Sequence, residues 1–128
     1  SLDRNRQLLS LLGKDFCLLS GDDDIAVDSA LAGFQGVISV AANVAPRQVH
    51  DAIVAARAGN ADEAHRVDAQ LKPLHRALFL ESNPIPVKWA LARMGLIRDG
   101  IRLPLTPLGQ QFHGQVLEAI QAAGIQFA

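Results

Sequence analysis

Two short apolar runs, Phe16-Cys17-Leu18-Leu19-Ser20 and Gly36-Val37-Ile38-Ser39-Val40, set the limits on the fold. Neither alternates with polar residues, so each predicts a strand buried on both faces, the pattern of a parallel sheet. Between them, Asp22, Asp23 and Asp24 favour a helix start, because carboxylates accept from free N–H groups and oppose the positive end of the dipole. That helix is predicted to reach Leu31 and stop at Gly33. Strand, helix and strand form a βαβ unit with a right-handed crossover. Two parallel strands are not a self-sufficient sheet, since each leaves an unpaired edge. The pair therefore implies neighbouring strands supplied from outside these 128 residues.

The rest of the chain reads as helix. Residues 2–12 carry an apolar face of Leu8, Leu9, Leu11 and Leu12, with Gly13 placed to end it. Pro46 suits a first helical turn, and Val49, Ile53 and Ala56 share a face that ends at Gly59. Asn60 with Glu63 resembles a capping box. Ala64, Val67, Leu71, Leu74 and Leu78 then recur three and four apart, a helical seam in which Pro73 predicts a kink or a short break. Asn83 and Pro84 open a further helix with Trp89, Leu91 and Met94, closed by Gly95. Residues 96–105 read as a loop, and Thr106 and Pro107 start a last helix on which Phe112, Val116 and Ile120 share a face.

Composition narrows the function classes. Twelve basic residues oppose thirteen acidic ones, for a net charge of −1, so no basic excess exists to neutralise phosphates and a nucleic-acid partner is not expected. No apolar stretch is long enough for a membrane helix, and no membrane partner is expected. The single cysteine cannot pair within the chain, which fits a reducing, cytoplasmic setting.

Few residues carry chemistry by spacing alone. His50, His65, His75 and His113 form no metal-ligand pattern and read as solvated helix histidines, with His65 able to meet Asp62 or Asp68. Cys17 reads as a small buried hydrophobe, and Lys88 as a solvated or packing lysine. Trp89, after the rigid Asn83-Pro84-Ile85-Pro86 turn, reads as a packed corner. Ser20-Gly21-Asp22-Asp23 is open to two readings: an Asp-capped turn, or a ligand site at a carboxyl strand end where Gly21 lets a ligand approach the backbone. Ser39 and Asn43 share that ambiguity.

Four stretches in order resemble the dihydrodipicolinate synthase (4-hydroxy-tetrahydrodipicolinate synthase) family. They are Leu18-Leu19-Ser20-Gly21-Asp22-Asp23, Gly36 to Val40, Glu81 to Leu91 with its Asn-Pro-Ile-Pro-Val-Lys-Trp-Ala core, and Arg102-Leu103-Pro104-Leu105-Thr106-Pro107. The resemblance implies an α/β fold: part of a TIM (β/α)8 barrel, its last two strands and their helices, followed by a helical C-terminal extension. Residues 1–59 would be the barrel portion, with 16–20 as the seventh strand and 36–40 as the eighth, and 60–128 the extension. A whole barrel takes about 250 residues.

The family condenses pyruvate with aspartate semialdehyde through a lysine Schiff base, with a tyrosine relaying protons. The resemblance puts that lysine upstream of Ser1, and this chain has no tyrosine. Lys14, Lys72 and Lys88 do not match the catalytic position, so no catalytic residue is expected here. Gly21, and Ile38 through its backbone, resemble the substrate-pocket wall. No metal and no cofactor are implied. The expected partners are the N-terminal barrel half and further copies in a homo-oligomer, commonly a tetramer in this family. The alternatives are a non-catalytic association module built on the seam from Ala64 to Leu78, and an unrelated small α/β binding domain.

Overall fold

Ala64, Val67, Leu71, Leu74 and Leu78 fall on one buried face, as their spacing predicts. In a computed structural model, residues 1–13 and 15–126 are described; Lys14 and residues 127 and 128 lie outside the described residues. The helices are α1 (Leu2–Leu11), α2 (Ala26–Ala32), α3 (Pro46–Arg57), α4 (Ala61–Ala77), α5 (Ile85–Arg93) and α6 (His113–Ala122). The strands are β1 (Leu19–Ser20) and β2 (Gly36–Val37), paired in parallel. The chain is thus mostly helical with one small sheet.

The core lies where α4 packs between α3 and α6. Leu71, Leu74 and Leu78 meet Val44, Val116 and Ile120, all essentially inaccessible. A second cluster joins α2, α3 and α4 through Val27, Ala30, Ala52, Ala56, Ala64 and Val67. Four of its six side chains are alanine, which lets these helices approach closely.

The short break allowed for at Pro73 does not occur, since α4 runs through it to Ala77. A proline inside a helix costs about 3 kcal/mol. Burial of each leucine contributes about 1.5–3 kcal/mol, and three buried leucines flank Pro73, so packing wins. Asn60 caps α4 as expected, its side chain accepting from the Glu63 amide. Glu63 does not complete the box: both its oxygens accept from Arg66 at 2.7 Å. Before it, α3 closes at Gly59, whose φ of 78° lets the Asn60 amide reach the Ala55 carbonyl at 2.9 Å.

Other expectations are corrected. The strands are two residues long, not five, and their flanks are not buried on both faces: Phe16 is 58% and Ile38 70% exposed, and Cys17 is exposed rather than buried. The physical reason is the one the bare edges imply. Each strand has one hydrogen-bonded neighbour among the described residues, so the ladder runs only from the Gln35 amide on Leu18 to the Ile38 amide on Ser20, at 2.8 Å each. α1 ends at Leu11 with Leu12 extended, before Gly13. The last helical segment starts at Gln110, later than Thr106, because Leu108 turns into the core and Gly109 is extended.

Candidate functional site at the carboxyl ends of the strands

Parallel pairing of Leu19 with Gly36 and Ser20 with Val37 brings both carboxyl ends to the same side. Ser20 is buried there. Its hydroxyl donates to the Asp22 carbonyl at 3.0 Å and accepts from the Asp22 amide at 3.2 Å, which folds the chain sharply at Gly21. The three aspartates then divide their work. Asp22 accepts from the Asp24 amide and caps the turn Asp23–Ile25 that leads into α2. Asp23 points inward, is 6% exposed, and accepts from the Val40 and Ala41 amides, both at 3.0 Å. Asp24 is exposed and faces α4, where Lys72 Nζ donates to its carbonyl at 2.7 Å.

Asp23 is the clamp of this region. Its carboxylate satisfies two donors at the start of the turn Ala41–Asn43, and charge-assisted bonds of this kind are stronger than neutral ones. Ser39 adds a third link, its Oγ accepting from the Ala42 amide at 2.8 Å. Asn43 Nδ2 donates back to the Val40 carbonyl. The turn reading of Ser39 and Asn43 is therefore the one these contacts satisfy.

α4 closes the other side. Asp68 and Lys72 form an ion pair at 3.1 Å, and Lys72 also lies 3.6 Å from Asp24. His75 is buried, 6% exposed, with Nδ1 3.9 Å from the nearer Asp24 oxygen and without a hydrogen-bond partner among the described residues. Burial holds its imidazole below the ordinary value; Asp23 and Asp68 pull it upward, and Lys72 adds to the lowering.

Gly21, Asp22, Asp23, Asp24, His75, Arg76 and Phe79 line an open cleft of about 450 Å³. Gly21 has no positive φ, and a Cβ built on it would meet nothing within 4 Å. The fold itself does not require glycine there. Ile38 does not line this cleft; it is joined to the same turn through its amide, which donates to the Ser20 carbonyl.

The histidines divide. His50 and His65 are exposed as expected, but His65 pairs with Asp28 of α2 at 3.6 Å instead of Asp62 or Asp68. His75 is buried and His113 half-buried, which corrects their reading as solvated. Lys88 is half-buried beside Trp89 and Asp99. Among the described residues, no group of three His, Cys, Asp or Glu side chains could hold a metal ion. No helix there is long and apolar enough to cross a membrane.

Sequence reasoning placed Asp23 in a capped turn but missed that it turns inward, and it missed His75 as a buried polar residue. His75 carried a signal: it lies four after Leu71 and three before Leu78, on the same helical face as the seam. Asp23 carried none, because its partners are 17 and 18 residues away.

Parallel strands whose carboxyl ends meet under turns and helix starts are an α/β arrangement, and in open or closed sheets of that class ligands commonly bind at those ends. Comparison with known proteins makes this specific. Residues 1–123 match the dihydrodipicolinate synthetase family, and the chain belongs to that family. It is 52% identical over 125 residues to the 4-hydroxy-tetrahydrodipicolinate synthase of Marinobacter nauticus, covering 98% of this chain and 43% of that protein. The synthase of Thioalkalivibrio sulfidiphilus is 54% identical over 124 residues, covering 97% and 42%. Among solved structures, the chloride-inhibited dihydrodipicolinate synthase of Acinetobacter baumannii complexed with pyruvate superposes with a TM-score of 0.94 at 43% identity, over 98% of this chain and 43% of that one. The Aquifex aeolicus enzyme gives 0.94 at 36% identity, over 99% and 43%. The chain thus spans less than half the length of the relatives it matches.

Proposed function

We propose that these 128 residues are the C-terminal portion of a cytoplasmic lyase that condenses pyruvate with aspartate semialdehyde. Residues 1–59 contribute the last two strands of a TIM (β/α)8 barrel and their helices, and 60–128 the helical extension. In the complete enzyme a lysine amine condenses with the pyruvate carbonyl, releasing water, and the Schiff base passes to an enamine nucleophile. That lysine and its tyrosine partner belong to the portion outside this sequence, which has no tyrosine. Gly21 and the backbone of Ile38 are this chain's contribution to the pocket wall. The observation that carries the proposal is the superposition of nearly the whole chain on a relative complexed with pyruvate, with both strand ends on one side. An open approach to the Gly21 backbone supports it further.

The test is borohydride trapping with pyruvate, read by intact mass. This chain alone forms no stable adduct; mixed with the complementary N-terminal portion, the adduct appears on that portion. An adduct on Lys14, Lys72 or Lys88 would overturn the proposal.

A second reading, a homo-oligomeric association module, loses the Ala64 to Leu78 seam it was built on, because those side chains are already buried within this chain; the surface left for it is α1, which buries none of its residues and leaves Leu11 73% exposed. Sedimentation separates the two, since a well-behaved monomer counts against association.

A further inference from the structure

The turns that carry Gly21 and Ile38 are tied together at two points. The Ser20 carbonyl accepts from the Ile38 amide at 2.8 Å, and one Asp23 carboxylate oxygen, Oδ2, accepts from both the Val40 and Ala41 amides at 3.0 Å. Ser20 and Asp23 stand on either side of Gly21, and the Ile38 and Val40 amides on either side of the Ile38 carbonyl. The bonds therefore close a ring with one wall segment in each half. No other hydrogen bond among the described residues joins the two turns.

We propose that Asp23 is a positioning residue for the pocket wall: its carboxylate fixes the separation and orientation of the Gly21 turn relative to the Ile38 carbonyl, acting only through the backbone it holds. The Ser20 bond sets a distance at one point and leaves rotation about that point. The Asp23 bonds, on the far side of Ile38, remove that rotation. A binding site needs this kind of backing, because small displacements of its walls weaken what it binds.

Asp23 is equipped for the task. Its own backbone is held, since its carbonyl accepts from the Ala26 amide at the start of α2, and Asp22 caps the turn around it. The residue is almost inaccessible, so water competes little for the two amides. A carboxylate oxygen has lone pairs for both, and its charge strengthens each bond. The bonds inside the second turn, from the Ala42 amide to Ser39 Oγ and from Asn43 Nδ2 to the Val40 carbonyl, shape that turn but do not set its distance from Gly21. Without Asp23, the chain after Ile38 hangs on the Ser20 bond and on the packing of Val40 against the core.

The inference rests on the function proposed above and is tested by steady-state kinetics of the complete enzyme. In Asp23→Ala, kcat/KM for pyruvate is expected to fall by roughly tenfold to a hundredfold, with the loss in KM because the reacting amine lies on neither wall segment. Asp23→Asn keeps an oxygen that can accept from both amides and is expected to restore most of that loss. Asp23→Glu keeps the charge but carries the oxygen one methylene further, and is expected not to. Leu74→Ala is the comparison, a variant destabilised in the core with both turns intact, and its KM is expected to match the parent's. A parental KM in Asp23→Ala, an Asp23→Glu enzyme better than Asp23→Asn, or a KM in Leu74→Ala raised as far as in Asp23→Ala would each overturn the proposal. The ranking of Asn over Glu carries the test even where Asp23→Ala does not fold. A complete parent enzyme that turns over no pyruvate would sink the functional reading; an active enzyme whose KM is flat across the Asp23 series would sink the positioning role alone.

Discussion

The rings of Trp89 and His113 stack with their centroids 4.3 Å apart and their planes 25° from parallel. This contact joins α5 to the start of α6. The Arg93 guanidinium lies 5.8 Å from the same indole, and His113 Nε2 donates to the Leu108 carbonyl at 3.1 Å. Trp89 is thus a half-buried bridge and not a fully enclosed core residue. Aromatic pairs contribute about 0.5–1.5 kcal/mol beyond area burial. A double-mutant cycle of Trp89→Leu and His113→Ala, followed by urea unfolding, is expected to show coupling of that size. Strict additivity would mean the stack contributes nothing.

Gly21→Ala separates folding from function. The position has no positive φ and open space where a Cβ would go. Replacing glycine at such a site stabilises by about 0.4–1 kcal/mol, through the unfolded state. The isolated chain is therefore expected to unfold at the same or slightly higher urea concentration. On the function proposed above, which puts Gly21 in the pocket wall, the added methyl is expected to weaken pyruvate binding by the complete enzyme. A destabilised chain would show that Gly21 serves the fold after all.

Leu74→Ala tests the seam. Leu74 is wholly buried between α4 and its neighbours, whereas Val54 of α3 is half exposed. Truncating a buried leucine costs about 2–5 kcal/mol, and an exposed valine about 0.5 kcal/mol or less. Thermal unfolding of the two variants is expected to differ accordingly. Similar midpoints would place the core elsewhere.

How much could be read in advance depended on the range of the interaction. The seam from Ala64 to Leu78 was legible because helical periodicity is local, and so was the Asn60 cap three residues before its donor. At Pro73 the possible break did not follow, because the local cost is plain in the sequence while the packing of Leu71, Leu74 and Leu78 that holds the helix together is not. The strand runs had the composition of doubly buried strands, yet burial belongs to a pair of surfaces, and Phe16, Cys17 and Ile38 are largely exposed. Gly21 and Ile38 were named by resemblance; the clamp between their two turns was not. Nothing in three consecutive aspartates says that the middle one turns inward, because that depends on where Val40 and Ala41 lie.

Acidification should weaken the fold through His75. Burial is the largest influence on its imidazole and keeps the value in the folded chain below the ordinary 6.5, against the opposing pull of Asp23 and Asp68. The unfolded chain therefore binds a proton more readily than the folded one, and stability rises with pH through the window between the two values. The contribution is complete above about pH 6.5 and is lost as pH falls through the folded value. Exposed groups add little to this slope; Glu63, held low by Arg66, is at the surface. Melting temperatures measured near pH 7.5 and near pH 5.5 are expected to fall more in the parent chain than in His75→Asn. That variant starts lower, since it loses buried packing, but its pH dependence is flatter. An equal fall in both proteins would assign the acid sensitivity to the carboxylates around His75 and not to the ring itself.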